Sequence, residues 1–522
     1  MKKLFCLLIG MFLCLGALSG CFGVNQPGGD EDLSGDYTKL TGTVKFLVPG
    51  DAPDSMDKVT AAINAALKED GRQYTVDFTF ETWGDYWNKV GLRANDGYDA
   101  CWMHADNLPG FYNSVLKDLT PYMEAYGSEI LKVTSELYLN FARVDGGLYA
   151  IPRVEPLSEE SNLMAVRGDW MTEFGMTEIT TLDTLEEYFE KAADKMADTP
   201  GAYVMDKDHC DYLRRVYAKN YYFPLGSFSK YPVYIDLSAP VNGSYEVKNF
   251  YTSQAFLDMA AKAEEYYKAG YRNPNRSSLA SDSIDNAFNN SLLAAIWSSP
   301  TKTSERIDAF KAVNPEGSIY NVLLNPEETK WISSGGNMLS VYKASSKAAH
   351  VVDFYNWVIS DQAHTDLVCY GILGENYNLT ADGKLDFTGI DAADNYSLKF
   401  PSFIFSTLTR IRYSKSMDDQ AIQSITEWDS GDNVQLSPLA GFVPEIKGIF
   451  NTAYSLVAAA EKSYSEDFLY GSKSVSDQTA YNQFLSQLNA PLTYEGEKVP
   501  AIEIVIAELQ KQVDAFMAEK QA

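Results

Sequence analysis

Two tryptophans stand beside acidic residues where strand-like sequence patterns end. Trp83 follows Glu81 by two residues, and Trp102 precedes Asp106 by four. An indole ring offers a flat apolar face, and a neighbouring carboxylate accepts hydrogen bonds from hydroxyl groups. Such a pair suits a polar solute that also has apolar faces, of which a sugar is a simple example. The alternative is that each indole packs inside the core, and the sequence leaves both interpretations open.

The elements around these tryptophans are predicted to be strands and helices in alternation. The runs 41–48, 76–80 and 98–103 are rich in β-branched and aromatic residues and predict strands. Apolar residues at helical spacing predict helices over 56–67 and 86–94 between them. This order predicts an α/β fold, in which ligands bind beyond the carboxyl ends of the strands. Both tryptophans lie at or just past such ends.

The later part of the chain is mostly helical. Apolar residues at positions i, i+3 and i+4 predict helices over 182–196, 256–267, 348–359 and 502–516. Trp357 falls within the third of these helices. We expect its ring to pack in the core and not to bind a ligand.

The first 21 residues have the pattern of an export signal. Two lysines precede the apolar stretch 4–18, which is shorter than the roughly 20 residues that span a membrane. The sequence Leu-Ser-Gly-Cys that follows resembles the bacterial lipobox, in which the cysteine is lipidated. We therefore predict a signal peptide over 1–20, a Cys21 that carries acyl chains such as palmitate, and a flexible tether over 21–38. The body would then be anchored to the extracytoplasmic face of the cell membrane. The alternatives are an ordinary secretory signal with an incidental cysteine and an uncleaved anchor.

The charge and composition exclude several classes of protein. The 522 residues include 71 acidic and 43 basic residues, a formal charge of −28. Nucleic-acid binding needs clustered lysine and arginine, whereas acidic residues predominate in this chain. We therefore exclude nucleic-acid binding. Hydrophobic residues make up 45% and aromatic residues 13%, which is too much for a disordered chain. With Cys21 lipidated, three cysteines would remain after processing, and an odd number cannot all pair.

Sequence motifs of enzymes and metal sites are absent. The chain has no HExxH, GxSxG or paired CxxC motif, and His104, His209, His350 and His364 do not have metal-ligand spacings. A secreted glycosidase would also use aromatic platforms, together with two carboxylates, but 71 acidic residues give no means of choosing a pair. We therefore predict a binding protein with no catalytic residue, metal or cofactor, and keep the glycosidase as an alternative.

The order of segments along the chain resembles the family 1 extracellular solute-binding proteins of ABC importers, in particular their large bacterial lipoprotein branch. The similar segments cover nearly the whole mature chain. They are the lipobox (18–21), WGDYWNKV (83–90), YDACWM (98–103), LKDLTPYMEAYG (116–127), GGLYAIP (146–152), RGDWMTEFGM (167–176), AAIWSSP (294–300), SGGNMLSV (334–341), DFYNWVIS (353–360), YGILGENYNL (370–379), SPLAGFVPEIKGIF (437–450) and ELQKQVDAF (508–516).

This resemblance implies a two-lobed, periplasmic-binding-protein-like α/β fold with a hinged interlobe cleft and a helical C-terminal extension. The N-lobe would contain 39–152 and 336–375, and the C-lobe 153–335 and 376–522. Such a monomer would capture a solute, first of all an oligosaccharide, and deliver it to the permease of an ABC transporter. A peptide or another polar oligomer is the alternative solute.

The resemblance also adds candidate ligand-binding residues. Trp297 precedes a loop that faces the cleft in the resembling family, and Trp331 falls near a proposed chain crossing. Arg153, Glu155 and Tyr377 lie at or just after other crossings, where they would reach a polar solute. A salt bridge at the surface is the alternative for Arg153 and Glu155.

Overall fold

A five-stranded sheet and a four-stranded sheet form the centres of two lobes. The computed structural model describes residues 32–521 except for 106, 113, 145, 156–163, 207–210, 227–229, 275–280, 334, 392, 418, 420–421, 424, 426–432 and 443.

The strands are numbered in chain order. They are β1 (Thr41–Pro49), β2 (Gln73–Glu81), β3 (Ala100–His104), β4 (Arg143–Val144), β5 (Gly147–Leu148), β6 (Ile151–Pro152), β7 (Met164–Arg167), β8 (Tyr203–Met205), β9 (Tyr221–Tyr222), β10 (Val233–Asp236), β11 (Val247–Asn249), β12 (Leu293–Ile296), β13 (Ile319–Val322), β14 (Lys330–Ile332), β15 (Asn337–Val341), β16 (Asn378–Leu379), β17 (Leu385–Asp386), β18 (Val434–Leu436), β19 (Pro491–Tyr494) and β20 (Glu497–Pro500).

The α-helices are numbered in the same way. They are α1 (Met56–Glu69), α2 (Trp83–Lys89), α3 (Leu108–Phe111), α4 (Thr120–Tyr126), α5 (Ser128–Val133), α6 (Glu136–Phe141), α7 (Gly168–Glu173), α8 (Leu182–Met196), α9 (Asp211–Tyr217), α10 (Gln254–Lys268), α11 (Ser281–Asn289), α12 (Pro300–Val313), α13 (Ala348–Ser360), α14 (Gln362–Tyr370), α15 (Gly448–Tyr470), α16 (Gln478–Leu488) and α17 (Ala501–Gln521).

The first sheet has the strand order β2-β1-β3-β15-β6. β1 is parallel to β2 and β3, whereas β15 is antiparallel to β3 and β6. The carboxyl ends of β1, β2, β3 and β6 therefore meet at one edge, together with the amino end of β15. The predicted strands at 41–48, 76–80 and 98–103 are confirmed as β1, β2 and β3, with small shifts at their ends.

The helix after β2 begins earlier than the apolar pattern predicts. It runs over Trp83–Lys89, not 86–94, and a short 3-10 turn follows at Leu92–Asn95. The first three residues of α2 are exposed, so the apolar periodicity starts only at the buried Tyr86. Trp83 is consequently the first residue of a helix.

The second sheet has the strand order β13-β7-β12-β8. β12 is parallel to β8, and β7 is antiparallel to both β12 and β13. The carboxyl ends of β8, β12 and β13 therefore share an edge with the amino end of β7. A separate three-stranded sheet, β11-β10-β9, packs in the same lobe.

Each lobe has its own hydrophobic core. The first core surrounds β1, β2, β3 and β15 and contains the fully packed α13, where Trp357 is 1% exposed as expected for a core residue. Two further clusters cover the opposite faces of the second sheet. Leu385, Tyr396, Phe400 and Phe405 also pack in the first core. The division of the chain into 39–152 with 336–375 and 153–335 with 376–522 stays a prediction.

Three C-terminal helices, α15, α16 and α17, extend the second lobe. α15 packs against α10, α16 and α17. The rings of Tyr251, just before α10, and Phe484, in α16, meet edge to face with centroids 4.8 Å apart. The helix predicted over 502–516 is confirmed within Ala501–Gln521.

The signal peptide, Cys21 and most of the tether lie outside the described residues. Within the described part of the chain, no helix is both long enough and apolar enough to cross a bilayer. Cys101 and Cys369 are free thiols buried in the first lobe, and burial raises the pKa of Cys101 to about 12.

Candidate functional site

The carboxyl edge of the first sheet brings together residues that are far apart in sequence. Trp83 follows β2, and Trp102 lies near the end of β3. Arg153 follows β6, and Asn337 begins β15 directly opposite His104. Because four strands end at this edge and one begins there, their flanking side chains converge on one place.

The aromatic side chains at this edge form a layered platform. Trp83 is 54% exposed and lies over the buried Trp102, with ring centroids 5.6 Å apart. Phe403, from a 3-10 turn at Ser402–Ile404, stacks on Trp83 at 5.9 Å and meets Trp102 edge-on at 5.7 Å. Trp87 also packs against Trp102, with ring centroids 4.9 Å apart. We call Trp83, Trp102 and Phe403 the tryptophan platform.

A polar network continues from the buried ring of the platform. The Trp102 indole N–H donates to Asn337 Oδ1 at 3.0 Å. Asn337 Nδ2 donates to both carboxylate oxygens of Glu155 at 3.1 Å, and its backbone N–H donates to Glu155 Oε1 at 2.5 Å. The guanidinium of Arg153 completes the network with a 2.7 Å bond to Glu155 Oε2. The platform and an ion pair thus form one connected unit.

Two glycines make this network possible. A Cβ atom on Gly336 would lie 2.1 Å from Glu155 Oε1, and one on Gly335 would lie 2.2 Å from Cβ of Phe141. Gly336 also has a φ of +61°, which L-residues with side chains rarely adopt. A larger residue at either position would displace the strand that delivers Asn337.

Glu81 lies at the same edge but is engaged in ion pairs. Its Oε2 accepts a 2.7 Å bond from Lys89, and its Oε1 accepts bonds from Arg93 at 2.5 and 3.1 Å. The hydrogen bond from Lys89 is the largest influence that lowers the pKa of this carboxyl group. Glu81 therefore holds α2 and the following turn, which positions Trp83.

The corresponding edge of the second sheet carries Trp297, directly after β12. Its backbone N–H donates to Asp206 Oδ2 at 3.2 Å, and its carbonyl oxygen accepts a 2.6 Å bond from Arg306 Nη1. The indole is half-buried. The chain leaves the first sheet at the carboxyl end of β6 and enters the second at the amino end of β7, and residues 156–163 of this connection lie outside the described residues.

Two of the predicted ligand residues lie elsewhere. Trp331 belongs to β14, where its indole N–H donates to Asn220 Oδ1 at 3.2 Å and its ring packs against the second core. Tyr377 is only 3% exposed and packs against Tyr370 in the first core, so its ring is not available at a surface. Asp106 lies outside the described residues.

The structure also brings in residues that the sequence did not single out. Phe403 lies some 300 positions after Trp102 and carries no local signal, so only the folded chain reveals its contact with the platform. Asn337 ends the run Gly335-Gly336-Asn337, and the paired glycines were a usable signal of close backbone approach.

The tryptophan platform presents the exposed apolar ring of Trp83. The amide, carboxylate and guanidinium groups behind it hydrogen-bond to one another. Among the described residues, no group of three or more His, Cys, Asp and Glu side chains is arranged to hold a metal ion.

Comparisons with known proteins identify the fold. No protein-family model matches the chain, and no curated protein sequence is significantly similar to it. Among solved structures, the N-glycan transport solute-binding protein NgtS of Streptococcus pneumoniae matches with a TM-score of 0.71 at 17% identity, covering 92% of this chain and 100% of that one. The same protein in complex with Man1GlcNAc matches with a TM-score of 0.67 at 19% identity and the same coverage.

A second similar structure comes from another bacterium. The solute-binding protein of an HMO-binding ABC transporter from Bifidobacterium longum infantis matches with a TM-score of 0.56 at 12% identity, covering 91% of this chain and 99% of that one. Both of these similar proteins are named as solute-binding proteins. The chain therefore has the two-lobed, periplasmic-binding-protein-like fold of ABC-transporter solute-binding proteins, and the predicted fold class is confirmed.

Proposed function

We propose that this protein captures an oligosaccharide at the carboxyl edge of the first sheet and delivers it to the permease of an ABC transporter. The observation that carries the proposal is the tryptophan platform: Trp83 is 54% exposed, yet two further aromatic rings support it. A well-supported exposed indole suits the C–H face of a sugar ring. The fold is shared with proteins named for N-glycan and HMO binding, which supports the same class of solute.

The second sheet supplies the opposite wall in this proposal. Trp297 would meet the solute when the lobes close around it, as hinged binding proteins do. We propose that Trp331 contributes to the site from the side of the hinge. The ion pair of Arg153 and Glu155 would contribute there indirectly, by holding Asn337. Asp106 also remains a proposed contact of the solute that is still to be tested.

Titration calorimetry on the purified protein tests the solute class. We expect Man1GlcNAc, Man5GlcNAc or milk oligosaccharides to bind, and matched peptides of similar length not to bind. A ligand at 100 times its Kd should also stabilise the protein by about 2.7 kcal/mol, which a thermal unfolding curve detects. Binding of peptides alone would overturn the carbohydrate proposal in favour of the peptide alternative.

We further propose that the protein binds without catalysis. A retaining or inverting glycosidase requires two carboxylates flanking the scissile bond. At the platform, Glu81 is held by Lys89 and Arg93, and Glu155 is held by Arg153 and Asn337. Prolonged incubation with Man5GlcNAc followed by mass spectrometry should return intact sugar, and any released monosaccharide would contradict this proposal.

The anchor is a separate proposal that rests on the leader sequence. We propose that Cys21 is lipidated, and that the mature protein is a monomer tethered to the extracytoplasmic face of the cell membrane. Metabolic labelling with a palmitate analogue should label the wild-type protein. Cys21→Ser should lose the label, whereas the control Cys14→Ser, in the same leader, should keep it. Equal labelling of both variants would refute the lipobox.

A further inference from the structure

The chain passes between the two lobes at three places that meet beside the tryptophan platform. Residues 153–155 lead from β6 in the first sheet towards β7 in the second. Residues 335–337 lead back from β14 into β15. Residues 406–408 lead from Phe405, in the first core, to Leu408, which packs against a cluster of the second lobe.

The first and second passages are joined by Glu155 and Arg153. The carboxylate of Glu155 accepts the backbone N–H and the side-chain amide of Asn337. The backbone N–H of Arg153 donates to Asn337 O at 2.9 Å, which continues the pairing of β6 with β15. A relative displacement of these two passages would break all of these bonds.

The first and third passages are joined by the same ion pair. Arg153 Nε donates to Ser406 O at 2.8 Å while Nη1 of the same guanidinium bonds to Glu155. Next to it, the backbone N–H of Leu408 donates to Val154 O at 3.0 Å. One guanidinium therefore connects the passage at 406–408 to the carboxylate that holds the passage at 335–337.

The burial of this ion pair makes its geometry specific. Arg153 is 3% exposed and Glu155 is 9% exposed. A buried charge that loses its partner is strongly unfavourable, so the pair tolerates few arrangements of the surrounding backbone. The best-supported role of such buried polar networks is to favour one arrangement of the backbone over alternative arrangements.

We infer that Arg153, Glu155 and Asn337 form a hinge fastener, which holds the three passages in one arrangement and couples solute contact at the tryptophan platform to the angle between the lobes. The coupling runs through Trp102, whose ring supports Trp83 and whose indole N–H is bonded to Asn337. This inference rests on the proposed function for its ligand-dependent half. These three residues are positioning residues and need not touch the solute.

Hydrogen exchange of the full-length protein, followed by mass spectrometry of its peptides, tests the fastener without any ligand. Glu155→Gln keeps the size of the side chain but leaves Arg153 without a counter-charge. We expect at least tenfold faster exchange in peptides from all three passages at once. The matched control is Asp353→Asn, which breaks the buried ion pair with Arg72 inside the first lobe. That control should speed exchange near β2 and α13 and leave the passages unchanged.

A milder variant separates the joined passages. Arg153→Lys retains the charge next to Glu155 but removes the guanidinium fork that also reaches Ser406 O. It should speed exchange at 406–408 by several-fold and leave 335–337 close to wild type. Faster exchange confined to 153–155 in both variants, or the same pattern in Asp353→Asn, would overturn the fastener.

The coupling is tested with Man5GlcNAc as the probe. In the wild-type protein, the sugar should slow exchange at the platform peptides 83–90 and at all three passages. Trp102→Phe keeps an aromatic ring but loses the N–H that bonds to Asn337. With each protein saturated with sugar, the ratio of protection at the passages to protection at 83–90 should fall below the wild-type ratio. An unchanged ratio in Trp102→Phe would overturn the coupling. If the wild-type protein binds no oligosaccharide, the proposed function and the coupling fail, whereas the ligand-free experiment still decides the fastener.

Discussion

The two sheet edges hold their tryptophans in different ways. At the first edge, the rings themselves are fixed: Trp83 is supported by two aromatic neighbours, and the Trp102 N–H is bonded to Asn337. At the second edge, the main chain of Trp297 is fixed, through bonds from its N–H to Asp206 and to its carbonyl oxygen from Arg306. The first edge therefore presents a pre-formed surface, whereas the second presents a fixed backbone carrying a half-buried indole.

This difference bears on how binding energy is distributed. A pre-organised surface loses little conformational freedom when a ligand arrives, and it keeps more of its contact energy as affinity. We therefore expect the first edge to dominate both affinity and structural stability.

The largest expected effect is on stability. Arg153→Met leaves the carboxylate of Glu155 buried without its cation, and we expect the free energy of unfolding to fall by about 4 kcal/mol. Arg306→Met at the second edge removes a more exposed guanidinium, whose partner Asp285 is 40% exposed, and should cost about 1 kcal/mol. Urea denaturation of both variants measures the difference. Equal losses would show that the two edges are equally dependent on their arginines.

A buried carboxyl group in the second lobe should make the stability of the protein depend on pH. Glu461, in α15, is 1% exposed and accepts a hydrogen bond from the Tyr251 hydroxyl at 2.5 Å. Burial raises the pKa of Glu461 from 4.5 to about 7. The folded state thus binds this proton more tightly than the unfolded state does. The contribution of the protonated Glu461 carboxyl group to the free energy of unfolding is complete below pH 4.5 and is lost as the pH rises through 7.

This linkage amounts to about 3 kcal/mol of unfolding free energy between pH 4.5 and 8. Glu461→Gln should remove that part of the pH dependence, and urea denaturation at several pH values measures it. The matched control is Glu264→Gln on α10, because hydrogen bonds from Lys268 and Ser474 lower the pKa of Glu264. A pH profile of Glu461→Gln identical to wild type would contradict the prediction.

The smallest expected effects are on affinity. Trp83→Ala removes the exposed ring of the platform and should weaken oligosaccharide binding about 30-fold, or about 2 kcal/mol. Trp297→Ala should weaken it about fivefold, because its half-buried indole exposes less apolar surface than the 54% exposed Trp83. Calorimetry measures both, with Leu131→Ala, an exposed apolar residue on α5, as the control. A greater loss for Trp297→Ala would reverse the comparison between the edges.

Part of this site was predictable because strand ends are visible in sequence. The alternating pattern before Trp83 and the apolar run around Trp102 placed both residues at one edge of a sheet, where the structure brings them into contact. The sequence did not distinguish an exposed ring from a buried one. Trp83 is mostly exposed and Trp102 is almost fully buried, although both lie at strand ends and both have acidic neighbours in the sequence.

Other expectations depended on contacts that no local pattern records. Glu81 was a candidate for binding hydroxyl groups, but Lys89, at the end of α2, and Arg93, in the following 3-10 turn, form ion pairs with it. Tyr377 was expected near a crossing surface, but its ring completes the first core. In each case the neighbours of the side chain, and not its position along the chain, decide its role.

Periodicity and composition are local properties, so the amino-acid sequence alone predicted the first three strands, several helices and the acidic, aromatic character of the chain. The contact of Phe403 with Trp83 is seen only in the folded chain. The same is true of the bonds by which Arg153 and Glu155 join three separate passages. These contacts link segments hundreds of residues apart, so they exist only once both sheets have formed and the chain has crossed between them.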